Sequence, residues 1–206
     1  MSKEKSKVYF TKTITAEKIV EMYEILKKPL QGKIAIKVHS GEKGNQNFLR
    51  PQMFKPIVEH LKGTIVECNT AYPGSRSTKE KHEILMKEHE WSKYFPVDIL
   101  DGDAPDIILE IPNGILLKKN YIGKNTKNYD STLVISHFKG HMSGGFGGAL
   151  KQLSIGFGSA AGKAYQHSGG KTDDTKKVWS QNFLIKNLKK QWLMQLIRLF
   201  NFLKEI

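Results

Sequence analysis

Lys33-Ile-Ala-Ile-Lys-Val38 and Thr64-Ile-Val-Glu-Cys68, with the segment between them, decide the fold. Each is a short apolar run rich in β-branched residues and bounded by turn formers, which reads as a strand. Between them, Arg50-Pro51 fits a helix start, because proline at the first helical position loses no intrahelical hydrogen bond. Met53, Ile57, Val58 and Leu61 recur at helical spacing, and Gly63 stops the run. A strand, a helix and a second strand in this order predict parallel pairing across a helical crossover.

Working outward, the pattern repeats. Upstream, Thr15 is placed to cap a helix over residues 16 to 28, with Ile19, Met22, Tyr23 and Leu26 on one face and Pro29 and Gly32 after it. Val8-Tyr-Phe10 reads as a first strand. Downstream, residues 69 to 78 form a loop of donors and turn residues. Ser77 or Thr78 caps a helix from Lys79 to about Glu90. Alternating strands and helices predict an α/β fold, a mainly parallel sheet flanked by helices. Residues 97 to 103, 106 to 111 and 115 to 117 have a different rhythm, with apolar runs cut by Asp-Gly, Pro and Asn-Gly. They predict a small β-rich insertion. Residues 125 to 131 are polar and have room for one helical turn.

The chemistry is expected in Thr132-Leu-Val-Ile-Ser-His-Phe-Lys-Gly-His-Met-Ser-Gly-Gly-Phe-Gly-Gly-Ala-Leu-Lys151. A strand runs into His137, Lys139 and His141 and then into glycines. Ten of the chain's 18 glycines lie between Gly140 and Gly170. Ordering so much glycine is entropically costly. Either the backbone approaches a ligand there, or two backbones touch. The spacing fits neither a P-loop nor a dinucleotide fingerprint. Gly144, Gly145, Gly147 and Gly148, with Lys139 and Lys151, form a candidate cradle for an anion. The alternative is a packed turn beside solvated lysines. His39, His137 and His141 are candidate metal ligands, since each follows a strand, and hydrogen-bonded or surface histidines are the alternative. His60, His82 and His89 fall on helix patterns and read as surface residues.

Composition sets limits. With 39% hydrophobic and 26% charged residues, the chain of 206 residues suits a folded domain. No apolar run approaches the ~20 residues of a membrane-spanning helix. The charged N-terminus has no apolar segment behind it, so no signal peptide and a cytoplasmic location are expected. The net charge of +13 comes mostly from scattered lysines. It reads as a solvated basic surface rather than a nucleic-acid footprint. The lone cysteine, Cys68, rules out an intrachain disulfide and a four-cysteine cluster within this chain. Asp98, Asp101, Asp103 and Asp106 lack the calcium-loop pattern and read as turn residues.

Several of these pieces together resemble a known family. Ser136-His-Phe-Lys-Gly-His141 followed by Gly145-Phe-Gly-Gly-Ala-Leu-Lys151 is similar to a motif of the family called domain of unknown function 362. Lys37-Val-His-Ser-Gly-Glu42 with Gly44-Asn45, the loop from Cys68 to Arg76, and Asp101-Gly102 extend the resemblance over residues 8 to 180. Family members are often described as iron–sulfur-centre proteins, and many carry a ferredoxin-like four-cysteine module. This chain has no such module, so the resemblance implies no iron–sulfur cluster ligated by this chain alone. It implies an activity that is redox-linked or metal-dependent, and an iron–sulfur or redox partner protein. It names no cofactor and no reaction.

The resemblance also implies that relatives are longer, so the chain looks like an N-terminal portion. The expected organisation is one α/β domain over residues 1 to 180 and a basic, apolar tail over 181 to 206. As written, the tail suits a membrane surface or a partner's groove. Alternatively, residues 191 to 204, back-translated and read one base out of phase, spell an alanine-rich segment like the helix expected next in the family. Three functional expectations follow. The first is a metal- or anionic-ligand site at the strand-to-glycine motif. The second is a non-catalytic module for a phosphorylated or otherwise anionic ligand. The third, weaker, is nucleic-acid association. Whether the protein is an enzyme is left open.

Overall fold

The fold comes from a computed structural model, which describes residues 7–141 and 145–179. Gly144 and the tail at 181–206 lie outside the described residues. The first helix, α1 (Ala16–Ile25), begins where Thr15 accepts a hydrogen bond from the Lys18 N–H. Strand β1 (Ile34–Lys37) follows. A 3-10 turn from Pro51 leads into α2 (Lys55–Leu61), and β2 (Thr64–Glu67) returns parallel to β1. Thr78 caps α3 (Lys79–Glu88), which is followed by the short α4 (Trp91–Tyr94).

Strand β3 (Val97–Ile99) pairs with β2, with Ile65 opposite Val97. It belongs to the main sheet rather than to the insertion expected from its sequence. The insertion is the antiparallel pair β4 (Ile107–Glu110) and β5 (Lys119–Ile122). Residues 115 to 117, expected as a strand, form the connection. Polar Asn120 is buried at an inward position of β5, which conceals that strand's alternation in the sequence. A single 3-10 turn spans Lys124–Asn128, as expected. Strand β6 (Ser131–Val134) then pairs in parallel with β1.

The main sheet has the order β3-β2-β1-β6 and all its strands are parallel, so the expected α/β architecture holds. Both faces are covered. Ile34, Ile36 and Ile65 pack with Ile57 and Val58 of α2, Met86 of α3 and Trp91 of α4, and Ile19 and Tyr23 of α1 join them. On the other face, Ala35 and Val66 pack with Leu109, Ile122 and Phe157. The expected first strand at Val8-Tyr-Phe10 does not form. Its apolar residues are exposed and have no strand partner among the described residues, and strand propensity without pairing is not enough.

After β6, the glycine-rich stretch forms a hairpin rather than an irregular loop. Strand β7 (Lys139–His141) pairs with β8 (Gly145–Gly147), and α5 (Ala149–Leu153) and α6 (Ala160–His167) follow. The reading in which glycine lets two backbones touch holds at one position. A Cβ on Gly162 would lie 2.4 Å from the Tyr121 carbonyl oxygen, so α6 touches β5 backbone to backbone. Gly147 and Gly148 border an open cavity instead. Among the described residues, no helix is long and apolar enough to cross a membrane.

Candidate functional site

The sheet order places a crevice in a definite position. From β1 the chain moves to β2 and β3 on one side, and it returns as β6 on the other. In open parallel sheets, the carboxyl ends of strands at such a reversal are where ligands bind. A cavity of about 230 Å3 opens here. Its walls come from the segments following β1, β2 and β6, from the β7–β8 hairpin, and from α5 and α6.

The floor is a buried ion network that no local motif announced. Lys37, at the end of β1, is 2% exposed, and Glu67, at the end of β2, is 3% exposed. The Lys37 ammonium lies 2.6 Å from Glu67 Oε2. The same carboxylate accepts from the Ser40 N–H at 2.8 Å, the Ser40 hydroxyl at 3.1 Å and the Cys68 N–H at 3.2 Å. Arg76 Nη1 adds an ion pair at 3.5 Å. Burial opposes ionisation of Glu67, but Lys37 and Arg76 outweigh it and hold the carboxyl well below its ordinary range. These donors fill the acceptor sites of a carboxylate, so Glu67 is a structural anion and not a free base.

Arg76 reaches from this floor into the cavity. Its Nη2 pairs with Glu42 and donates to the Tyr72 hydroxyl at 3.0 Å, and that hydroxyl donates to Glu42 at 2.7 Å. Arg76 is 7% exposed, and its Nε is buried without a hydrogen-bond partner. An unused donor on a buried guanidinium at a cavity wall is costly unless something accepts from it.

Of the residues expected at the site, His39, His137, Lys139, His141, Gly147, Gly148 and Lys151 all border this one cavity. Gly145 does not. It sits at the start of β8, at a positive φ of 72° that favours glycine. The ammonium groups of Lys139 and Lys151 have no hydrogen-bond or ion-pair partner among the described residues. Burial, with Lys139 and Arg76 nearby, brings the Lys151 amine down to about 8. The cavity is therefore cationic, and the one carboxylate that lines it among the described residues, that of Glu67, is already saturated.

The histidines divide by environment. The Gly41 N–H donates to His39 Nδ1 at 3.0 Å, which leaves the proton of the neutral ring on Nε2. Burial and Arg76 push His39 down to about 3. Burial and Lys151 push His167 down to about 4, and its Nδ1 has no partner. These rings are neutral at pH 7. Yet among the described residues no three His, Cys, Asp or Glu side chains come together in a set that could hold a metal ion.

His82 corrects the surface reading. It is 0% exposed and lies between Ser40 Oγ and Asn69 Oδ1, each at 3.2 Å. Its helix position looked external because α3 packs against a loop rather than against solvent. His89 is half-buried against the Ser40 carbonyl and stacks on Phe48, whereas His60 is exposed, as expected. Burial pushes the Cys68 thiol up to about 12, which disfavours the thiolate. Asp101 ties the Asn69 N–H to the Ala160 N–H, at 2.8 Å each, which is a structural role like that expected for this aspartate.

The model of the family described as a domain of unknown function (DUF362) matches residues 34–201, most of the chain. The chain belongs to this family. The match spans the whole parallel sheet, the cavity and the β7–β8 hairpin, and it continues into the 181–206 tail. No curated protein and no solved structure matches the chain. Membership of DUF362 therefore carries no reaction, and any function has to be argued from the cavity.

The histidines and lysines near the glycines, Lys163 among them, were legible in the sequence, but Lys37, Glu67, Tyr72, Arg76 and Trp179 were not picked out as site residues. A signal existed for the first two. Each is a charge in the fourth place of an otherwise apolar run, in strands expected to pair in parallel.

Proposed function

We propose that the cavity binds a small anionic ligand carrying a phosphate or carboxylate, held by Lys139, Lys151 and Arg76. One observation carries this reading: two ammonium groups that have no hydrogen-bond or ion-pair partner among the described residues line one cavity together with the Arg76 guanidinium. Like charges gathered in a half-enclosed space repel one another, and an anion relieves that repulsion. The location at the carboxyl ends of β1, β2 and β6 supports it. A metal centre is less favoured, because among the described residues the histidines bordering the cavity form no ligand set with a third His, Cys, Asp or Glu.

The test is calorimetric titration with pyrophosphate, with chelator present so that a contaminating metal cannot bridge the ligand. Lys151→Ala is expected to weaken binding roughly tenfold to a hundredfold, as for loss of a charge-assisted hydrogen bond. The exposed Lys139 should matter less, about two- to fivefold.

Binding should also depend on pH. The Lys151 amine, brought down to about 8, is charged at pH 7 and loses its proton as the pH rises through that value. Affinity for pyrophosphate should therefore fall between pH 7 and 9. Lys151→Arg, which keeps its charge, should flatten the fall. Unchanged affinity in Lys151→Ala would rule the reading out.

A further inference from the structure

The mouth of the cavity is aromatic. Trp179 and Tyr72 both line it, and they remain 46% and 40% exposed. Neither is loose. The Trp179 indole N–H donates to the Ala71 carbonyl at 2.9 Å, and the preceding Val178 is buried with Ala71 and Ala164. The Tyr72 hydroxyl is held by Glu42 and Arg76. The two rings meet edge to face at 6.5 Å, and the His167 ring lies 5.2 Å from Trp179.

Rings fixed by their polar atoms, with much of their surface open beside a cluster of cations, form a rigid stacking platform. The cavity volume of about 230 Å3 is below the ~300–1,000 Å3 usual for whole small-molecule ligands. That space suits the anionic part of a ligand, with a flat part resting at the mouth.

We infer that the ligand is a free phosphate ester of a planar heterocycle, a mononucleotide in its simplest form. Its phosphate would lie toward Lys151 and Arg76, and its ring against Trp179 and Tyr72. The inference rests on the anion reading above and adds the ring.

The experiment compares ribose 5-phosphate with adenosine 5′-monophosphate by calorimetry, with quenching of tryptophan fluorescence alongside. Wild-type protein is expected to bind the nucleotide about tenfold more tightly, in line with base–aromatic stacking. Trp179→Ala should erase that preference while leaving ribose 5-phosphate affinity within about twofold, and Trp179→Phe should restore most of it. The wild-type ratio needs no variant, so a poorly folded Trp179→Ala does not remove the test. Equal affinity for the two wild-type ligands would overturn the ring assignment and leave the anion reading standing. Binding of neither would overturn both. A 5′-phosphorylated trinucleotide that binds more tightly than the mononucleotide would overturn the assignment of a free nucleotide.

Discussion

Glu67→Ala is expected to destabilise the protein by about 3–5 kcal/mol, the usual cost of removing one partner from a buried ion pair. Against a typical total of about 5–15 kcal/mol, that is a large fraction. The reason lies in what the substitution leaves behind. Lys37, 2% exposed, loses its carboxylate at 2.6 Å, and Arg76 is left with Glu42 and the Tyr72 hydroxyl. The Ser40 and Cys68 N–H groups also lose their acceptor. Glu67→Gln retains an acceptor oxygen and should fall between wild type and alanine. Replacing the pair together, Lys37→Met with Glu67→Leu, should recover part of the loss, because no lone charge then remains between the strands. Urea unfolding midpoints measure all three. Stability of Glu67→Ala within 1 kcal/mol of wild type, judged on the scale of surface pairs, would mean that the network is not what joins β1 to β2.

The second large effect is acid sensitivity. His82 is fully buried, and burial holds its ring down to about 4, from an ordinary 6.5. As pH falls below 6.5, the unfolded chain takes up a proton at this ring that the folded chain refuses until about pH 4. Stability is therefore lost as the solution is acidified across that window. One such ring is worth roughly 3 kcal/mol. His39 and His167, held to about 3 and about 4, act in the same direction. Glu67 adds to the loss at lower pH. Its carboxyl is held below 4.5, so the stability it supplies is present above that value and disappears as the pH falls through its depressed one. His82→Gln keeps polar atoms between Ser40 and Asn69 but cannot titrate. Between pH 6.5 and 4.5 it should lose roughly 2 kcal/mol less than wild type does. Parallel pH profiles for the two proteins would assign the acid sensitivity elsewhere.

What the sequence made legible follows from which forces are local. Thr15 and Thr78 cap their helices with side chains that the sequence displays, and the apolar periods of β1, β2 and α2 are short-range patterns. The segment at residues 97 to 99 was misplaced because pairing with β2 is decided by the sheet and not by its own Asp-rich rhythm. Val8-Tyr-Phe10 has strand propensity but no partner, and a propensity alone does not make a strand.

At the candidate site, the histidines and lysines near the glycines could be picked out because they cluster in sequence. Arg76 and Trp179 could not, since they stand more than a hundred residues apart and only the crossovers bring them to one cavity. The burial of His82 is hidden in the sequence because a helical pattern does not reveal which face the loops at Ser40 and Asn69 cover.

The central claim is that this cationic cavity at the strand ends holds an anion. The most direct measurement is a crystal structure of the protein grown with tungstate, a heavy tetrahedral anion, recorded at the tungsten absorption edge. The account predicts an anomalous peak inside the cavity, within hydrogen-bonding distance of the Lys151 ammonium and the Arg76 guanidinium, and its loss in Lys151→Ala. Peaks confined to surface lysines, with the cavity holding only water, would contradict it.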